Sequence, residues 1–410
     1  MTRIYPPQND RVPSDEILHL FNLDRSGRTL MPGLQLLSWT TSRASLPWLH
    51  HLLSPNLPVV EIDFNGGHAA PVTVAVIKAL PTTNLKRVAF SALRTNSEVN
   101  AALWDLVLNS KRLGSIYIQQ AKDIGSSGEV KDQGEPIELE SLESVKIVFN
   151  TEPAFLPTLF KRSKLPNVHE IHAVHCGKTD WPGADDLFGS MLGSASPGVF
   201  HAFRYISNFY GIDITPARIE PLRRFVALRN LRVTSQCTIT RCKFFLSDDD
   251  VSAIAIAMPN LVELHLGGIP CSSPANVSVR GLAALAANCT KLVGLQIHFD
   301  TTRFVDKALD VSGERTIPPQ LTQGSCQLTQ LSVGRMALAE TVDGRLAVAM
   351  ALSQMFPNLE SIKCKKLHES WEEVMKIIKV QRYVANLVVV RPANPLLSVY
   401  LTHTKSDTTG

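Results

Sequence analysis

Three histidines and a cysteine within one short stretch, His169, His172, His175 and Cys176, are the side chains that bind zinc when they converge on one point. They lie in VHEIHAVHC, which starts at Val168 and alternates like a strand, so His172 points away from the face shared by His169 and His175. Such residues line a surface, and no metal is expected. The run Asp248, Asp249 and Asp250 is acidic enough for a cation, yet consecutive carboxylates at a helix start point in different directions and suit the helix dipole. Gly66, Gly67 and His68 make a turn without the Lys-Ser/Thr that a phosphate-binding loop carries. No nucleophile elbow, H-E-x-x-H pair or kinase phrase occurs, so neither catalysis nor a cofactor is expected.

Arg223, Arg224, Arg229 and Arg232 form the densest basic group, joined at a distance by Lys363, Lys365 and Lys366. Phosphate-tracking stripes interleave aromatics for base stacking, and only Phe225 is near. The formal charge of the 410-residue chain is only +4, from 41 basic and 37 acidic residues, so nucleic acid is not the expected partner. Seven cysteines without a C-x-x-C pair make no disulfide framework. The apolar runs are short and interrupted, and Val251 to Met258 is far below the roughly 18 residues of a membrane span. The opening MTRIYPPQNDRVPSDE lacks a signal or transit pattern, so a cytoplasmic or nuclear location is expected and the Asn276 and Asn288 sequons are discounted.

The elements that position these groups come from a repeat. A phrase of the form L-x-x-L-x-L starts at Leu34, Leu57, Leu85, Leu113, Leu142, Val168, Phe200, Leu228, Leu261, Leu292, Leu328 and Leu359, at intervals of 23 to 36 residues with a mean near 29.5. That is leucine-rich-repeat spacing at its long end. A weaker unit, VANLVV from Val384, is expected to close the stack. Between phrases lie helical patterns. Ser247 caps an acidic first turn, Val251, Ile254, Ala255 and Met258 share a face, and Pro259 ends the helix. Leu282, Leu285, Ala286 and Cys289 repeat the spacing, as do Val99, Leu103, Leu106 and Val107. Asn65, Asn150, Cys176 and Asn208 occupy the ninth phrase position, where a side chain braces the backbone as the strand turns away. Polar segments 121–136 and 301–325 are expected to project as loops.

The expected fold class is α/β: a leucine-rich-repeat solenoid (horseshoe) of about twelve repeats, with a parallel concave sheet and helices on the convex side. Its divisions are an N-terminal cap or linker remnant over 1–33, the solenoid over 34–366, and a capping segment with a short disordered tail over 367–410. GLAALAANCTKLVGLQI (Gly281 to Ile297), SCQLTQLSV (Ser325 to Val333) and PGLQLLSWTTSRASLPWLHHLLSPNLPVVEI (Pro32 to Ile62) resemble the leucine-rich region of fungal F-box proteins. That resemblance implies the substrate receptor of an SCF-type ubiquitin ligase, in which an F-box holds the adaptor and the repeats hold the substrate. Residues 1–33 lack the F-box pattern of three helices opening on Leu-Pro and closing on Trp, although VPSDEILHLFNL (Val12 to Leu23) has helical character. An adaptor contact therefore requires an F-box supplied elsewhere.

Phrase positions one, four and six face the core, which leaves three, five and seven for the concave face. Position five then reads Ser38, Glu61, Ala89, Tyr117, Lys146, His172, Arg204, Arg232, His265, Gln296, Ser332 and Lys363, with Glu170 and Glu263 beside it at position three. A mixed strip of this kind suits a protein partner, because Arg and Tyr anchor interfaces. The candidate partner-binding residues are Glu61, Tyr117, Lys146, Glu170, His172, Arg204, Arg232, Glu263, His265, Gln296 and Lys363. A stand-alone scaffold and an RNA-associated protein using the basic group are the alternatives. Salt dependence separates a phosphate-binding surface, which loses affinity steeply, from a mixed protein interface.

Overall fold

The computed structural model describes residues 3–4, 32–41, 49, 52–64, 69–121, 136–150, 155–177, 188–190, 193–208, 213–235, 243–268, 276–301, 326–334, 338, 341–364 and 368–390. Each of the twelve phrases supplies one strand of a single parallel sheet: β2 (Leu36–Thr40), β3 (Val59–Asp63), β4 (Arg87–Leu93), β5 (Ser115–Gln120), β7 (Ser144–Phe149), β9 (Glu170–His175), β10 (Ala202–Ser207), β11 (Asn230–Ser235), β12 (Glu263–Leu266), β13 (Gly294–Gln296), β14 (Gln330–Gly334) and β15 (Ser361–Cys364). β1 (Arg3–Ile4) pairs with Leu36 and Leu37 and makes a thirteenth strand at the first edge. Between them, β6 (Ile137–Glu138) and β8 (Ser163–Lys164) form a separate two-stranded parallel ladder.

Strand order follows chain order, so every connection must cross over before the next strand can lie parallel to its predecessor. Eight or more residues of helix make several of these crossovers: Ala70–Lys78, Ser97–Asn109, Phe155–Arg162, Asp248–Ala257, Val279–Asn288 and Val342–Met355. Shorter turns, Pro216–Ile219 and Glu220–Arg224, serve β10 to β11. Strand residues of alternate parity are buried, as in the pattern of β3 and of β11, and they join helix residues such as Ile254 and Leu285 in one core. The helices thus cover one face of the sheet, and the opposite face stays open.

The register is what makes the core continuous. Position four meets position four across the stack, Leu37 to Val60 to Val88 and onward through Phe203, Leu231 and Leu264 to Leu331 and Ile362. Irregularities occur where β4 bulges before Leu93, with Ala92 at φ 52°, and at Ser332 to Gly334 in β14.

Side chains cap several helix starts. Ser247 and Asp250 form a reciprocal capping box, and Asn96 accepts from the Val99 amide. Asp248 does more than complement a dipole. Its carboxylate accepts from Ser278 N at 2.7 Å, Ser278 Oγ at 2.6 Å and Gly281 N at 3.0 Å, so it caps the next helix in the stack. Gly281 is required there, because a Cβ would lie 2.7 Å from the Asp248 carboxylate and 2.8 Å from Val277.

At the strand ends, Asn150 donates to the carbonyls of Gln120 (3.4 Å) and Ala121 (3.0 Å), and Asn208 donates to Cys176 Sγ at 3.1 Å. These ninth-position residues brace the turn between strands, and Gly177 leaves room for the Asn150 carbonyl. Asn65, segments 122–135 and 302–325, and residues 12–23 lie outside the described residues.

One expected repeat is corrected. VANLVV from Val384 lies in the helix His368–Val390, not on a strand. No Pro-Asn or Gly turn precedes it, and KIIKVQRY carries helix formers straight into it. The helix covers the far end of the stack by burying Trp371, Val374 and Ile378, with Trp371 edge-on to Phe299 at 6.2 Å. Within it, Arg382 donates to the Phe356 carbonyl at 3.1 Å.

Asp248→Ala is expected to lower unfolding free energy by about 3 kcal/mol, since three charge-assisted hydrogen bonds are lost. Asp249→Ala, whose ion pair with Arg280 is largely exposed, should change it by less than about 0.5 kcal/mol. Urea denaturation of the two variants checks this, and equal losses would remove the inter-helix cap.

Candidate functional site

Parallel pairing in one register turns phrase position five into a row on the open face. Ser38 meets Glu61, which meets Ala89, then Tyr117, Lys146, His172, Arg204, Arg232, His265, Gln296, Ser332 and Lys363. Position three runs beside it, where Glu170 is followed by Ala202, Asn230 and Glu263. Neighbours along each row are about 4.8 Å apart, close enough for side chains to interact from strand to strand.

Several of these groups are already engaged. Glu61 pairs with Arg87 at 3.2 Å. Tyr117 donates to Gln119 Oε1 at 2.9 Å, and the Lys146 ammonium sits 5.2 Å over the Tyr117 ring. Burial holds the Tyr117 hydroxyl above its ordinary pKa. Lys363 donates to Gln330 Oε1 at 3.1 Å. Gln296 departs from the expected contact role: it is 6% exposed and gives its amide to the Gly267 carbonyl at 2.9 Å. It braces the backbone beside His298, which donates to Gly268 at 2.8 Å, and Gly267 adopts φ +87° under that ring.

The centre of the row is different. Arg232 Nε donates to His265 Nδ1 at 3.1 Å, which fixes that ring in the neutral form with its proton on Nε2. His172 Nε2 and Arg204 Nε are covered and have no hydrogen-bond partner among the described residues. Burial, then the charges of Lys146, Arg204 and Arg232, push His172 down to about 4. Burial and Arg232 do the same for His265, also to about 4, against an opposing pull from Glu263. Both rings are neutral at pH 7. A shallow hollow of about 290 Å³ opens beside His265, lined by Arg232, Thr234, His265, Gln296, Ser332 and Lys363.

The basic group of the sequence is divided by the fold. Arg223 and Arg224 lie on the turn Glu220–Arg224, where Arg223 pairs with Glu220 and Arg224 donates to the Ala195 carbonyl at 3.3 Å. Of its four arginines Arg232 stands in row five, where Lys363 stands too, while Lys365 and Lys366 lie outside the described residues. Of the histidine cluster, His175 is 3% exposed and stacked on Phe149 at 5.1 Å, away from His172. Among the described residues no group of three or more His, Cys, Asp or Glu is placed to hold a metal, and no helix is long and apolar enough to cross a membrane.

Position seven contributes what the residue types alone did not reveal. Val148, Val174 and Ile206 are consecutive in register and half-buried, making an aliphatic strip alongside Lys146, His172 and Arg204. The signal was present in the phrase parity, two residues beyond position five.

No family model matches the chain, and no curated protein matches it in sequence. Among solved structures, a protein from Bacteroides fragilis is similar over 76% of this chain at 12% identity and a TM-score of 0.31. The match spans just under two thirds of that protein, 66%.

The depressed histidines fix the sign of a pH effect. The unfolded chain protonates near the ordinary 6.5, whereas the folded rings resist until about 4. Their contribution to stability is therefore present above pH 6.5 and lost as pH falls toward 4. The urea midpoint should drop across that window, and His172→Gln with His265→Gln should flatten the drop; an unchanged slope would place both rings in solvent.

Proposed function

We propose that the chain is a leucine-rich-repeat solenoid that works as a protein-interaction module, with its partner on the concave face formed by the open side of the sheet. The observation that carries this reading is the unbroken row five, in which Lys146, His172, Arg204, Arg232 and His265 stand on five consecutive strands of one parallel sheet. Twelve strands at about 4.8 Å give an inner arc on the order of 60 Å, long enough for a folded domain. Arg and Tyr along that arc are the residue types that dominate binding energy at protein interfaces.

The resemblance of Pro32 to Ile62 to fungal F-box proteins adds a specific role, substrate recognition in an SCF-type ubiquitin ligase. An F-box supplied elsewhere would then contact the adaptor. A stand-alone scaffold without the ligase link is the second form of the same module. The RNA-associated reading loses support, because Arg223 and Arg224 are committed to the outer turn and do not extend the row.

Affinity purification of the tagged full-length chain from its native cells tests the ligase role: the SCF adaptor and cullin are expected to co-purify. If they are absent, the ligase link falls and the retained proteins define a scaffold. Charge reversal at Arg204 together with Arg232 should abolish partner retention without lowering the melting temperature. Retention by that variant would place the partner elsewhere.

A further inference from the structure

Resting on the concave-face reading above, we infer that the middle of the open face, from β7 to β12, takes an acidic, aliphatic-rich segment of a protein partner, with one carboxylate seated on Arg204 and His172. Three observations meet there. The first is charge. Along row five the sequence of groups is Lys146, His172, Arg204, Arg232 and His265, with no carboxylate among them. On its own strand and face, Arg204 has Ala202 and Ile206 as neighbours, so no acid faces it from β10. Glu170 and Glu263 stand one row away, at either side of Ala202 and Asn230.

The second observation is unmet hydrogen bonding. Arg204 Nε and His172 Nε2, adjacent in register, have no partner among the described residues. Leaving covered polar atoms unpaired is costly, and a carboxylate satisfies a guanidinium fork with two parallel bonds. The Arg204 head rides on a flexible stem and can turn its fork toward an incoming acid. His265, held by Arg232 with its proton on Nε2, offers a further neutral donor to the same ligand.

The third is apolar surface of matching length. Val148, Val174 and Ile206 lie half-buried on the three strands that carry Lys146, His172 and Arg204. A partner segment whose acids meet row five therefore covers this strip with aliphatic side chains. Single-stranded nucleic acid fits less well. Past Tyr117, row five presents no Phe, Tyr or Trp ring for base stacking, and a phosphate backbone has no aliphatic side chains to lay on Val148, Val174 and Ile206.

Fluorescence anisotropy of the full chain with short labelled probes tests this. A peptide of alternating Glu and Leu is expected to bind. A Lys–Leu peptide, a Glu–Ser peptide and oligouridylate should each bind at least about tenfold more weakly. Arg204→Gln should weaken the Glu–Leu probe by about thirtyfold, with Arg204→Lys intermediate because charge remains without the fork. Val174→Ser should weaken it as well, while Asp249→Ala, on the helix side of the sheet, leaves it unchanged. Melting curves of the variants confirm that they fold. Failure of the Glu–Leu probe, equal binding by Arg204→Gln, or tighter binding of oligouridylate overturns the inference. If the Arg204 and Arg232 reversal abolishes retention of the cellular partner while no acidic peptide binds, the concave-face reading stands and this inference falls. If retention also survives the reversal, both fall.

Discussion

Everything in this molecule depends on parallel strands pairing in a register that sets each phrase position against itself. A slip of one residue at any strand would turn its leucines to the open face and its charges inward. Burying that side against the helices makes such a slip prohibitive, because position four is fully enclosed from Leu37 to Leu331. The hydrophobic phrase thereby specifies both halves of the structure: the core it fills and the polar rows it leaves outside.

A recurring apolar phrase alone leaves the backbone polar groups at the ends of each unit unanswered, and this chain answers them with side chains borrowed from the adjacent unit. Asp248 caps the helix that starts at Val279, and Asn150 and Gln296 donate to carbonyls one strand back. Each of these bonds spans roughly one repeat in sequence, so each couples neighbours that would otherwise touch only through apolar contact. The same economy explains why one polar member of row five, Gln296, is withdrawn from the surface. At β13 the strand is only three residues long, and its amide is needed where Gly267 turns with positive φ.

Electrostatics on the open face follow from crowding cations onto adjacent strands. Burial first, and then the charges of Lys146, Arg204 and Arg232, keep the His172 imidazole neutral. Acids placed one row away soften the field without pairing with Arg204, while at the far end Arg87 holds Glu61 directly. The face is therefore quiet at its margin and unsatisfied at its centre.

Much of this is legible in the amino-acid sequence. The L-x-x-L-x-L periodicity determined where the strands begin, which residues enter the core, and that Ser38 through Lys363 share a face, because strand parity and repeat spacing are local properties. Ser247 and Asn150 were legible for the same reason, since capping and ninth-position bracing are written within a few residues. What no local pattern carries is partnership across a repeat. That Asp248 reaches the following helix, that Gln296 is spent on Gly267, that Arg223 and Arg232 part to opposite sides, and that VANLVV remains helical were decided only when distant segments packed, because each depends on which group of another unit lies within hydrogen-bonding or van der Waals reach.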